Sequence, residues 1–282
     1  MPPNEQWPET VIESLTAFLQ NVLEPHASVT SPLVRSYVYR GQAVARWPLQ
    51  PSLCRMCTAL GHARPEAIRI EKLLLDQFRE RVHLHLEAEY LPTGFGTMLT
   101  TSARLEWWGL MQHYRAPTRL LDWTHSPLVA LYFAANERWN DDGAVWVVQR
   151  KLMNKGGRDQ FGPMGNDEEA VWILDDPPPR VIGIDPLRPT ERMVAQQGCF
   201  TISQDILADH ALAMAGQLPA EAEEEGQTLV NRHKYIIPAA RKPELLRLLH
   251  HMNVTAASLF PGIDGLGAEL EEVVRLHGTT AV

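Results

Sequence analysis

Between Gln112 and Thr124 the chain concentrates side chains that can grip and polarise a ligand: Gln112-His113-Tyr114-Arg115-Ala116-Pro117-Thr118-Arg119-Leu120-Leu121-Asp122-Trp123-Thr124. An imidazole can move a proton, and a carboxylate can steady a developing positive charge. A guanidinium is a fixed fork of donors suited to phosphate or carboxylate. Upstream, Tyr39-Arg40-Gly41-Gln42 sets another guanidinium at the end of a β-prone run, with Gly41 free to turn or to approach a ligand closely. Downstream, Arg192-Met193-Val194-Ala195-Gln196-Gln197-Gly198-Cys199-Phe200-Thr201 offers two amides beside a glycine.

Each group also has a plainer structural role. Arg40 can pair with a carboxylate and hold a turn. His113 can sit as a cation on a helix C-terminus. Asp122, Thr124 and Ser126 can cap the next helix. Gln196, Gln197 and Gly198 can end a helix and feed a strand. Alternatively, Thr124 and Ser126 form a hydroxyl pair before an Ala-rich helix, which can hold a nucleotide with hydroxyls and helix-start amides. The density of distinct polar chemistry, placed where a strand gives way to a helix, favours a ligand pocket.

The elements that must position these residues follow from periodicity and punctuation. Helical spacing predicts helices over residues 10–23, 65–90, 103–114, 128–139, 241–251 and about 266–276. Ser126-Pro127 is a good helix start, since Ser can cap and Pro is tolerated in the first turn. Short β-prone runs predict strands at 36–40, 119–123, 144–149, 199–202 and 235–237. Residues 47–55, 92–101 and 151–189 are expected to be mainly loop. The acidic stretch near 218–227 is expected to be flexible and solvated. Helices lead and strands then alternate with loops, so the expected class is α+β: helices around a small, mainly antiparallel sheet, in one domain over 1–282.

Composition narrows the class. The chain has 282 residues, 45% hydrophobic and 21% charged, enough for a core without disulfide staples. Net charge is −8, so the overall field does not favour nucleic acid as a partner. Cys54, Cys57 and Cys199 are too few and too odd in number for a secreted disulfide scaffold, and a reducing cytoplasm is expected. No signal peptide and no membrane-spanning stretch is expected. Cys54-Arg55-Met56-Cys57 is half a zinc site with no second pair, so no metal is expected. Gly-rich phosphate loops, nucleophile elbows and His-Glu-x-x-His helices are absent from the sequence.

Taken together, the motifs resemble the FRG-domain family, named for its Phe-Arg-Gly signature. Here Tyr39-Arg40-Gly41-Gln42 carries Tyr in place of Phe, and Trp47-Pro48-Leu49-Gln50-Pro51-Ser52-Leu53-Cys54-Arg55 follows it. The run from Gln112 to Ala134 resembles the family's longest motif, with Arg115 where Gly is common. Arg192 to Thr201 resembles its Arg-x-x-x-Gln-x-Gly-x-Phe element, and Leu259-Phe260-Pro261-Gly262-Ile263-Asp264-Gly265-Leu266 its C-terminal signature.

The order of parts is similar to that of ADP-ribosyltransferases, whose sheet is split. This resemblance implies an NAD-dependent transferase or NAD glycohydrolase acting as a bacterial toxin or phage-defence effector. A nucleotide ligand, a macromolecular acceptor and a cognate antitoxin are the partners it implies. NAD is then held by Arg40, Gly41, Gln112, Arg119, Gln196 and Gln197. Thr124 and Ser126 brace the pocket, and Tyr132 or Trp123 stacks on nicotinamide. Asp122, His113 and Glu191 are the catalytic candidates. The superfamily's usual Glu on the third motif is replaced by Gln196 and Gln197. That departure leaves a second reading, a non-catalytic module sensing a nucleotide or anion.

Overall fold

Two glycines set how closely the helix after the central motif lies on the sheet. In the computed structural model, which describes residues 7–23, 37–92, 101–162, 177–224 and 227–277, that helix is α5, Pro127–Ala135. It crosses strands β2 (Tyr37–Gln42) and β4 (Gly143–Gln149). A Cβ on Gly41 would stand 1.9 Å from the Ala130 carbonyl oxygen, and one on Gly143 would stand 2.3 Å from that of Ala134. Gly41 is therefore required for packing inside a strand, not for a turn. Ser126 caps α5 by accepting from the Val129 amide, and Pro127 occupies its first turn.

The remaining elements, in chain order, are β1 (Glu9–Val11), α1 (Leu15–Phe18, running into a wider turn at Leu19–Leu23), α2 (Ser52–Ala59), α3 (Arg64–Val82) and α4 (Thr101–His113). Then come β3 (Leu120–Thr124), α6 (Arg150–Phe161), β5 (Val181–Ile184), α7 (Glu191–Ala195), β6 (Gly198–Ser203) and α8 (His210–Gln217). The chain continues through β7 (Glu221–Glu224), β8 (Gln227–Val230), β9 (Arg232–Ile237), α9 (Lys242–His251), α10 (Ala256–Leu259) and α11 (Ile263–His277). Seven strands form one sheet in the order β1-β9-β4-β2-β3-β6-β5, antiparallel except at β1–β9. The fold is α+β.

The sheet is nearly divided in two. β2 pairs with β4 through six registered positions and β3 with β6 through five. β2 and β3 meet only at Tyr39 and Thr124.

On one face, Tyr39, Val145, Val147 and Ile237 are covered by α5, α9, α10 and α11. On the same face beyond the join, Leu120, Phe200 and Ile202 are covered by Trp107 and Trp108 of α4 and Leu75 of α3. The two helical blocks flank the join and leave a cleft above it. The opposite face, including Val38, Trp146 and Trp123, is covered by Met153 of α6 and Met214 of α8. Among the described residues no helix is long and apolar enough to cross a membrane.

Several local expectations change, and the helix expected over 65–90 ends at Val82. The helix expected over 10–23 gives up its first turn to β1, because Thr10 and Val11 find a ladder on β9 and Ser14 caps α1 instead. The segment expected as loop at 47–55 turns helical at Ser52, anchored by the Leu53 amide donating to the Thr118 carbonyl at 3.1 Å. The long segment expected as loop contains α6 and β5, locked when Asn154 exchanges two hydrogen bonds with the Gly183 backbone at 2.8 and 3.2 Å. The acidic stretch contributes β7 to a two-stranded hairpin with β8, so backbone pairing overrides its charge. Most of the loop expected at 92–101 lies outside the described residues.

Candidate functional site

The cleft begins where Arg40 replaces a strand ladder. Strand alternation points Arg40 to the face opposite Tyr39 and Gly41. With only one residue pair joining β2 and β3, its guanidinium still reaches the cleft, and Nη1 donates to the Asp122 carbonyl at 2.6 Å. Its Nε is buried with no hydrogen-bond partner. Burial pushes the guanidinium below its ordinary value, Asp122 pulls it back up, and Arg55 pushes it down.

A chamber of about 250 Å³ lies over this join, with Arg40, Gln112, His113, Asp122, Arg192 and Gln196 on its wall. Arg192 and Gln196 are four apart, one helical turn, and share the chamber side of α7 and its end. Thr190 caps α7 by accepting from the Met193 amide. The Arg192 guanidinium stacks 4.6 Å from the Phe260 ring centroid, and no ion pair engages it among the described residues. Burial lowers its pKa, Asp122 raises it, and Arg115 lowers it further. The Asp122 carboxylate is exposed and forms no ion pair among the described residues. It is the one carboxylate on the described chamber wall, held between two guanidiniums.

His113 ends α4 and exchanges a hydrogen bond between Nδ1 and Thr190 Oγ1 at 3.2 Å. Burial, with Arg192 adding, pushes its pKa below 6.5, so the ring is uncharged at neutral pH. Gln112 accepts from Thr118 Oγ1 through Oε1. Gln196 donates from Nε2 to the Leu259 carbonyl at 3.0 Å, which ties α7 to the end of α10. A second chamber of about 450 Å³ shares Arg40, Gly41 and Phe133 with the first and adds Trp47 and Arg55. Trp47 is 42% exposed, a large aromatic surface on the cleft wall.

Several expected site residues have other work. Arg119 is 1% exposed; its Nε donates to Glu71 at 2.6 Å and its guanidinium lies 5.3 Å from the Trp108 ring centroid. It braces α3 against β3 inside the core and does not face the cleft. Tyr132 is 1% exposed and its hydroxyl donates to Glu272, so it cannot stack on a ligand. Trp123 borders the chamber but is 3% exposed, with Nε1 donating to Thr201 Oγ1 at 2.8 Å.

Ser126 is committed as the α5 cap. The Thr124 hydroxyl donates to the Gln196 carbonyl at 2.6 Å and accepts from the Ser126 amide at 3.0 Å. It braces the strand end. Glu191 is exposed in the first turn of α7 and is not on the chamber wall. Gln197 turns the chain in a left-handed conformation, φ 49°, and its carbonyl accepts from the His125 amide at 3.0 Å.

The structure thus gathers Arg40, Gly41, Gln112, His113, Asp122, Trp123, Thr124 and Gln196 around one space. Tyr39, Phe133, Arg192 and Met193 also line the chamber and lie outside the expected site. Arg192 was legible from its four-residue spacing to Gln196. Phe133 was not, because an aromatic in an apolar helix looks the same whether it lines a core or a cleft.

No curated protein and no solved structure matches the chain. Its sequence does match the FRG domain over residues 35–143, a span that holds Arg40, His113, Asp122 and Phe133 and stops short of Arg192 and Gln196. That match lies over the β2–β3 join, so residues 35–143 of the chain carry an FRG domain.

Proposed function

We propose that the cleft takes an NAD-type dinucleotide and that the chain is an ADP-ribosyltransferase-like enzyme or NAD glycohydrolase. The observation that carries this reading is Asp122 standing between Arg40 and Arg192, two guanidiniums without an ion pair among the described residues. Donor forks of this kind suit a diphosphate. The buried, unpartnered Arg40 Nε is a donor that an anionic ligand can satisfy. Two adjoining chambers sharing Arg40 suit a ligand with two ends.

Bound NAD supplies a nicotinamide–ribose bond that breaks with the electron pair leaving on nicotinamide. In this reading Arg40 and Arg192 hold the diphosphate. Asp122 faces the positive charge that develops on the ribose. Uncharged His113 takes the proton from the attacking water or acceptor hydroxyl. A macromolecular acceptor, a cognate antitoxin, and a role as bacterial toxin or phage-defence effector extend the same proposal. Residence in the cytoplasm does too, supported by buried cysteines at 54, 57 and 199 that form no disulfide among the described residues.

A second reading is favoured by one observation. Glu191 stands outside the chamber and the Gln196 amide is tied to Leu259, so Asp122 is the sole carboxylate available there. A nucleotide- or anion-sensing module needs the two arginines and no carboxylate chemistry.

Nicotinamide release from NAD, measured beside NAD-induced thermal stabilisation, separates the two. The enzyme reading expects release by the wild type and a loss on the order of 100-fold in Asp122→Asn, with the thermal shift kept. Stabilisation without release identifies the sensor. Neither signal removes NAD as the ligand.

A further inference from the structure

Three neighbouring strands bring three different metal-ligating side chains to one place. β6 lies between β3 and β5. Cys199 of β6 stands opposite Trp123 of β3, and the next residue, Phe200, stands opposite Ile184, the last residue of β5. The chain leaves β3 at His125 and leaves β5 at Asp185, so these two arrive on either side of the Cys199 strand. An imidazole nitrogen, a carboxylate oxygen and the thiol sulfur of the three residues each lie within 4.8 Å of the other two. The residues come from separate parts of the chain, so only strand pairing assembles them. Cys199 is 1% exposed, on the face of the sheet opposite the cleft.

Packing does not account for His125. Its side chain is 6% exposed, yet only one ring nitrogen is engaged. Nε2 meets Asp185 Oδ1 at 3.2 Å, and Nδ1 is buried with no hydrogen-bond partner among the described residues. A buried imidazole satisfied on one side only lowers stability unless the ring has a further use. Asp185 is the open member, with 55% of its side chain exposed. Arg150 Nη1 donates to its Oδ1 at 2.6 Å and fixes the carboxylate. Its Oδ2 forms no hydrogen bond or ion pair among the described residues.

We propose that His125, Asp185 and Cys199 bind a divalent transition metal of the zinc class. Thiolate, imidazole and carboxylate are the donors such an ion takes. Around a tetrahedral ion with bonds of about 2.0–2.1 Å to nitrogen and oxygen, two such donors stand about 3.3–3.4 Å apart. The Nε2–Oδ1 separation is already 3.2 Å. The sulfur edges of the same tetrahedron are about 3.6 Å, which side-chain rotation reaches from 4.8 Å. Asp185 ligates through Oδ2 while Arg150 keeps Oδ1, the kind of hydrogen bond that orients a ligating carboxylate. Thiolate and carboxylate balance the charge of the ion, and water completes the four ligands. The ion then ties the ends of β3, β5 and β6 together at the corner before α5, where the His125 amide already donates to the Gln197 carbonyl at 3.0 Å. None of the three ligands lines the chamber around Asp122, so the site is structural and separate from the proposed chemistry.

Cobalt(II) is the probe, because a cobalt–thiolate bond gives a near-ultraviolet charge-transfer band. Titrated into the chelator-treated full chain, it is expected to raise that band up to one equivalent, and zinc is expected to bleach it. Cys199→Ser removes the band. Asp185→Asn weakens binding by more than the roughly 10–100-fold that losing a ligand's own hydrogen-bond partner causes, and Arg150→Gln falls within that range. Asp185 faces water, so its variant keeps the fold and reports on the metal even where Cys199→Ser does not fold. Cys57→Ser leaves the band unchanged, since the Cys54–Cys57 pair takes no part. A wild type without the band, a band kept in folded Cys199→Ser, unchanged affinity in Asp185→Asn, or a band lost in Cys57→Ser overturns the proposal.

Discussion

Arg40 donates from Nη1 to the carbonyl of Asp122 at 2.6 Å, across the one place where the sheet has almost no ladder. The side chain of β2 thus does what a backbone amide would do, and it leaves its second nitrogen edge for a ligand. Asp122 supplies the backbone anchor and turns its carboxylate to the cleft. A positioning contact and a candidate reactive group share one residue.

That relationship makes the geometry of the guanidinium matter more than its charge. Arg40→Lys keeps a cation but loses the planar fork. NAD affinity is expected to fall about tenfold or more, while the loss of one hydrogen bond lowers stability by only about 1 kcal/mol. Calorimetric titration and urea unfolding of the same sample check both halves. Unchanged affinity takes Arg40 out of the site.

Arg119 is expected to behave in the opposite way. Its pairing with Glu71 is buried, so Arg119→Met leaves a carboxylate without its partner and lowers stability by roughly 3 kcal/mol. Ligand affinity of the fraction that stays folded does not change. A loss of affinity with stability intact would return Arg119 to the binding site.

His210 makes a pH prediction. It is buried, meets Thr201 Oγ1 at 2.9 Å through Nδ1, and is pushed down to about 3 by burial, with Arg40 adding. The unfolded ring titrates at its ordinary 6.5, so the unfolded chain binds the extra proton between these values. Its contribution is complete above 6.5 and is lost as pH falls toward about 3. Urea midpoints followed from neutral to acid pH are expected to fall less steeply in His210→Asn than in the wild type. Parallel slopes would show that His210 does not carry the acid sensitivity.

Arg115 offers a stabilising change. It holds φ 63°, the left-handed region that favours glycine, in the turn after α4. Relief of about 1–2 kcal/mol of strain, less the larger unfolded-state freedom of glycine, leaves Arg115→Gly more stable by about 0.5–1 kcal/mol. Thermal unfolding measures it, and a lower melting temperature would mean that the Arg115 side chain contributes more than its backbone costs.

The sequence by itself determined the local vocabulary. Ser126-Pro127 announced α5 because a cap and a first-turn proline act within a few residues. β3 and β6 were legible from short apolar runs. The motifs pointed to the FRG domain and to most of the cleft, since Arg40, His113, Asp122 and Gln196 sit in those motifs. Tertiary structure alone decided which polar groups face a ligand. Arg119 and Arg40 are the same residue type beside strands, yet Glu71, 48 residues away in sequence, claims the first and leaves the second to the cleft. By sequence Gly41 is free to turn or to approach a ligand, and only the Ala130 carbonyl lying against it makes it a packing requirement. The single Tyr39–Thr124 pair that opens the sheet comes from helices packing on two separate blocks, and no local pattern carries that information. Local signals depend on neighbours in the chain, whereas the partner of a buried charge depends on neighbours in space.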